Sequence, residues 1–175
     1  MLESDAAIAR RVRAVQEQIA AACGRTGRSP EAVTLIAVTK RVEAARVAAA
    51  FAAGVRAIGE NLVQEAVQKF AAPEWPAAVE RHLIGHLQTN KAAAAVAAFG
   101  AIHSVDSPRS ARAIARAVEQ QGRSPYAVFL QVNVGGEATK FGVPPDELSD
   151  LARQCRELAL EVQGVMAVPP PVADP

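Results

Sequence analysis

Six short apolar or β-branched runs along this chain are separated by five segments with helical spacing, and this alternation narrows the possible folds more than any other feature. The run 33–39 (VTLIAVT) is almost continuously apolar, the pattern of a parallel strand buried on both faces. A helix over 44–53 follows, closed by Gly54. Further strands are predicted at 57–59, 82–84, 101–104, 128–132 and 162–168, with helices at 62–70, 91–99, from Pro108 and at 146–158. Ser107 as cap and Pro108 in the first turn start the helix that carries Ala111, Ile114, Ala115 and Val118 on one stripe. Regular βα steps of this kind imply a parallel sheet with covering helices. A closed (β/α)8 barrel uses about 31 residues per unit, so 175 residues supply between five and six units. A doubly wound sheet would place a Gly-rich phosphate loop after an early strand, and no G-x-G-x-x-G run occurs; Gly24 to Gly27 follows a helix and reads as a cap and turn.

Before the first strand, Ile8, Val12, Val15 and Ile19 recur at helical spacing behind a Ser4 cap, with Arg10, Arg11 and Arg13 on a solvated face. Nineteen basic and eighteen acidic side chains leave a net charge of +1 with no dense basic block, which argues against a nucleic-acid binder. The longest weakly polar run, 92–102, is too short for a bilayer, and Glu3 and Asp5 interrupt any signal-peptide pattern. The expectation is a cytoplasmic protein. Cys23 and Cys155 have no metal-ligand spacing and read as reduced core thiols.

Ligands of parallel α/β folds bind where strands end and helices begin. Those segments are polar here: Thr39-Lys40, Gly59-Glu60-Asn61, the run from Gly85 to Lys91, Ser104-Val105-Asp106 and Asn133-Val134-Gly135-Gly136. Lys40 follows directly on the largely apolar run VTLIAVT of the first strand. Partial desolvation at a barrel rim would lower its amine pKa and make it a nucleophile toward carbonyls, whereas a lysine reaching out to solvent is the plainer reading. Asn61 could donate to a ligand oxygen or cap the next helix. His86 alone reads as a hydrogen-bonded structural histidine, and His82 and His103 as packing residues inside strands, so three histidines do not make a metal site.

The runs LIAVTK, AIGENLVQEAVQK, HLIGHLQTNKA, IHSVDS, QVNVGGEATKFG and GVMAVP, in this order, resemble the pyridoxal phosphate homeostasis protein family from about Val33 to Pro169. The resemblance implies the (β/α)8 TIM barrel of the alanine racemase N-terminal-domain type (fold type III), here with about six of eight βα units in a single 1–175 domain. It implies pyridoxal 5'-phosphate (PLP) as cofactor, Lys40 as the lysine of the internal aldimine, Asn61 of the GEN motif in the cofactor pocket, and His86, Gln88 and Asn90 near the same rim. Family members continue past the position of Pro175 with a Ser-rich and an Arg-x-Gly-Thr segment that hold the phosphate and pyridine edge, so the domain is expected to be incomplete at its C-terminus. The implied function is to carry PLP in intracellular vitamin B6 homeostasis without turnover, with no catalytic residue and no metal. PLP-dependent apoenzymes are the implied partners, with no nucleic acid and no membrane, and the family-length form would be a monomer or weak dimer. The alternative is a racemase or decarboxylase fragment using Lys40 and His86 as a proton-transfer pair; the lone tyrosine, Tyr126, stands at the entrance of strand five.

Overall fold

A computed structural model describes residues 4–73, 75–137 and 139–168; the last residue of the GVMAVP run and the proline-rich 169–175 end lie outside them. The chain divides into two compact units. One holds the described residues through Glu60 together with Gln64–Arg81, and the other holds Asn61–Val63 and the described residues from His82 onward.

The first unit begins with α1 (Asp5–Thr26), where the Ser4 hydroxyl accepts from the Ala7 amide and Gly27, at φ 65°, ends the helix in the left-handed conformation. The sequence reads Gly24 to Gly27 as a cap and turn, but Gly24 lies inside the helix and only Gly27 terminates it. Strand β1 (Ile36–Val38) pairs in parallel with β2 (Ala57–Glu60), with Ala37 opposite Ile58. It is shorter than the predicted 33–39, since its partner β2 begins only at Ala57, opposite Ile36. Nor is it buried on both faces. Val38 is 51% exposed, whereas every residue of β2 is buried. Helices α2 (Ala44–Ala52) and α3 (Val63–Phe70) follow their strands. Val47, Val55, Ile58, Trp75 and Val79 form the core of this unit, with Val12, Phe51 and Phe70 packed against it. The Arg81 guanidinium lies 4.7 Å from the Phe70 ring centre.

The predicted third strand, 82–84, is β3 (Glu80–Leu83), whose last two residues belong to the second unit. There β3, β4 (Ala101–Val105), β5 (Tyr126–Val132) and β6 (Leu160–Ala167) pair in parallel in chain order. No reversal of strand order occurs in either unit, so neither has the switch point at which doubly wound sheets bind ligands. Each connection is a helix: α4 (Ala92–Ala98), α5 (Pro108–Gln120) and α6 (Leu148–Glu157). A capping box between Ser107 and Ser110 starts α5, and its buried stripe is Ala111, Ile114, Ala117 and Val118; Ala115 lies at the margin. At the start of β5 the Tyr126 hydroxyl donates to the Phe99 carbonyl at 3.0 Å, and burial raises its phenol pKa. Cys23 and Cys155 are buried free thiols, and burial pushes Cys155 up to about 11.

Gly85, just past β3, meets the backbone of Asn61 so closely that a Cβ there would stand 2.6 Å from the Asn61 Cα. Gly85→Ala therefore forces two backbones apart. It should lower the free energy of unfolding by about 1–3 kcal/mol, read from urea denaturation.

His103 of β4 is 8% exposed, stacks on Phe129 with ring centres 4.1 Å apart, and has Nε2 3.0 Å from His82 Nδ1. Burial first, and the neighbouring His82 second, push its pKa down to about 4. The unfolded chain, with an ordinary value near 6.5, binds the proton more readily. Stability is therefore full above about pH 6.5 and is lost as the pH falls toward 4. Between pH 7 and pH 4.5 the wild type should lose about 2 kcal/mol more than His103→Gln, and denaturant titrations at the two pH values check this.

Candidate functional site

Lys40 stands two residues beyond the last residue of β1, and its side chain is exposed. The partial desolvation expected from its place after an apolar run is thus not provided within its own unit. Its surroundings are nonetheless highly ordered. Thr39, 5% exposed, donates from Oγ1 to Glu60 Oε1 at 2.7 Å. Lys69 Nζ, on α3, donates to the same oxygen at 2.5 Å and to the Thr39 carbonyl at 2.6 Å. Glu65, one turn earlier on α3, accepts the Arg41 amide at 2.5 Å and lies 3.5 Å from Lys69 Nζ. This bond to the Arg41 backbone is the main reason the Glu65 carboxyl titrates below its usual value. Arg41 itself has φ 59°, a conformation that disfavours residues with a Cβ. Glu60 is completely buried, and its Oε2 has no hydrogen-bond partner among the described residues.

In the second unit, Asn61 is half-buried and is followed by Leu62, the residue that precedes α3. Asn61 is therefore one position too early to be the helix cap, and of its two sequence readings the capping one is not realised. His86 and Asn90 line the same cavity of about 780 Å³, with Gln88, Asp106, Arg109 and Lys140 also on its wall. That volume suits a small ligand. His86 is held from two sides. Its Nδ1 is 3.1 Å from Asp106 Oδ2, and its ring stacks on Phe141 with centres 3.7 Å apart and planes 10° from parallel. Asp106 is oriented in turn by the Ser107 and Ser110 hydroxyls, each at 3.1 Å. Asn90 lies exposed in the 3-10 turn Thr89–Lys91.

His86 and Asn90 are thus brought together at one cavity, and Asn61 touches the backbone beside His86 through Gly85. Lys40 belongs to the first unit. Sequence reasoning gave no individual role to Glu60, Lys69, Asp106 or Phe141, although Glu60 and Asp106 stand in the polar strand-end segments. For the first two a signal existed: a carboxylate ending an otherwise apolar strand, and a Glu65/Lys69 pair one helical turn apart. Phe141 gave none, because nothing in a loop sequence forecasts a ring stack. Among the described residues no three potential metal ligands cluster, and no helix is long and apolar enough to cross a membrane.

Residues 7–174 match the family described as alanine racemase, N-terminal domain. The chain is 41% identical over 171 residues to the pyridoxal phosphate homeostasis protein of Pseudomonas aeruginosa and 38% identical over 172 residues to that of Escherichia coli K12; it covers 72% of each. Among solved structures it is similar to an unknown protein from Bifidobacterium adolescentis (TM-score 0.87, 33% identity, 99% of this chain and 75% of that one). It is also similar to PipY of Synechococcus elongatus, solved with PLP bound (TM-score 0.79, 36% identity, 95% of this chain and 73% of that one). The alanine racemase of Streptomyces coelicolor, at 22% identity and a TM-score of 0.63, shares the fold alone. The strand and helix order, the polar strand ends and these similarities agree: the chain has the alanine racemase N-terminal barrel-type fold and belongs to the pyridoxal phosphate homeostasis protein family.

Proposed function

We propose that this chain binds pyridoxal 5'-phosphate through Lys40 and serves vitamin B6 homeostasis as a carrier rather than as a catalyst. The observation that carries the reading is Lys40 itself: an exposed primary amine, with no hydrogen bond or ion pair to any described residue, at the end of a strand whose neighbouring backbone is tied down. The donor chemistry suits the cofactor. When bound, PLP supplies an aldehyde that condenses with a primary amine and a ring that withdraws electrons. Lys40, in the first unit, is the amine for that aldehyde; in the second unit, taken by itself, Asn61 and Asn90 carry amide donors and His86 a planar ring, the residues that the family resemblance assigns to the cofactor pocket. We read the 1–175 chain as one PLP-binding barrel domain of a cytoplasmic protein, with PLP-dependent apoenzymes as its partners.

Against catalysis stand two groups that proton transfer would need free. Tyr126, the sole tyrosine, spends its hydroxyl on the Phe99 carbonyl in a buried site. His86 has Nδ1 engaged with Asp106 and its ring covered on one face by Phe141. A racemase needs an acid and a base on opposite faces of a carbanion, and neither residue is arranged as such a free group.

Added PLP should give a visible absorption band that borohydride abolishes, and peptide mapping should place the reduced pyridoxyl label on Lys40. Label spread equally over Lys40, Lys69 and Lys91 would refute the assignment. For the carrier reading, racemisation or decarboxylation of amino acids should not exceed that of free PLP by the roughly 10²- to 10⁴-fold that one positioned acid/base group supplies. Chiral chromatography of alanine incubated with protein and PLP reads this directly. Turnover above that level, lost in His86→Ala, would make the chain an enzyme.

A further inference from the structure

Burying an ion pair costs several kcal/mol of solvation, and such a pair is often no more stabilising than apolar residues of the same volume. Glu60 is fully buried and the Lys69 side chain is 8% exposed, so their 2.5 Å pair carries this cost. What the pair holds is specific. Lys69 Nζ binds the carbonyl of Thr39, in the peptide group before Lys40, and Glu60 holds the Thr39 hydroxyl. Glu65, linked to the same ammonium, accepts the amide of Arg41, in the peptide group after Lys40. Both peptide planes that bracket the Lys40 Cα are therefore fixed by side chains from β2 and α3, at least 20 residues away in sequence. The backbone ladder supplies less. Strand β1 has only three residues, and the bond from the Thr39 amide to the Gly59 carbonyl at 3.0 Å lies before Lys40. Arg41 adopts a left-handed conformation that a residue with a Cβ enters only at a cost, and a turn bond from the Val42 amide to the Thr39 carbonyl at 2.9 Å closes the segment locally. The Glu65 carboxylate adds an acceptor for the Arg41 amide itself, which that turn bond leaves unmet.

We propose that Glu60, Glu65 and Lys69 are positioning residues for Lys40: they fix the direction in which its side chain leaves the backbone, so that the amine is held ready for its ligand. This rests on the reading of Lys40 as the PLP amine. The three residues need not touch the cofactor. They act through the Thr39 carbonyl and the Arg41 amide, as outer-shell groups orient a ligating side chain.

Glu65 is the best place to test the idea, because its side chain is 30% exposed and its loss opens no apolar core. Glu65→Ala removes the acceptor of the Arg41 amide, and Glu65→Gln keeps an acceptor oxygen there. Three measurements are made on wild type, both Glu65 variants and Lys69→Met: amide exchange of the segment 39–42, PLP affinity from the visible band, and thermal midpoint. The expected result is faster exchange at Arg41 and about tenfold weaker PLP binding in Glu65→Ala, as for one lost charge-assisted hydrogen bond. Glu65→Gln should recover to within about threefold with the same thermal midpoint, which a merely structural role would not produce. Should Lys69→Met fail to fold, the Glu65 pair decides. Wild type labelled on Lys40, with Glu65→Ala binding PLP as tightly and exchanging as slowly, overturns the proposal alone. Wild type that takes up no PLP on Lys40 overturns the functional reading and the proposal with it.

Discussion

Parallel pairing is the constraint on which the rest depends. Two parallel strands cannot be joined by a tight turn, so each connection crosses back over the sheet, here as a helix after each of the first five strands. In each unit the strands consequently begin at one end and finish at the other, and the polar residues that follow them gather at the finishing end. The cavity with His86, Asn90, Asp106 and Lys140 arises this way: the first two follow β3, the third follows β4 and the last lies in the loop after β5.

A rim assembled from loops needs something to hold it still, and the two units do this differently. In the first, charge is carried inward: Glu60 at the end of β2 is buried and holds the strand end through Lys69 and Thr39. In the second, ring stacking and short-range hydroxyl bonds do the same work, with His86 between Asp106 and Phe141, and Asp106 between Ser107 and Ser110. The ionic device depends on the low dielectric around Glu60, whereas the stacked one tolerates water on its open face.

The strand and helix order was legible because it rests on periodicity, which is local. Ser4, Ser107 and Pro108 marked helix starts correctly because capping is settled within four residues of chain. Strand lengths were less legible. The apolar run 33–39 yields only three ladder residues, since pairing length is set by the partner strand, which the run does not contain. Among the candidate residues, Lys40 stood out because a charged residue after an apolar strand is unusual in itself, and His86 stood out only through the family resemblance. Their supports did not, because Lys69 reaches Thr39 across 30 residues and Phe141 reaches His86 across two strands.

The burial of both cysteines bears on what a reactive aldehyde meets at this protein. A thiolate is a stronger nucleophile than a neutral amine of like basicity, and an exposed one would compete for any electrophilic carbonyl that approached. Cys23 and Cys155 are the only sulfur nucleophiles of the chain, and both are closed off by packing, Cys155 also by a thiol that stays protonated well above neutral pH. On the described surface an incoming carbonyl compound therefore meets amines and no thiol.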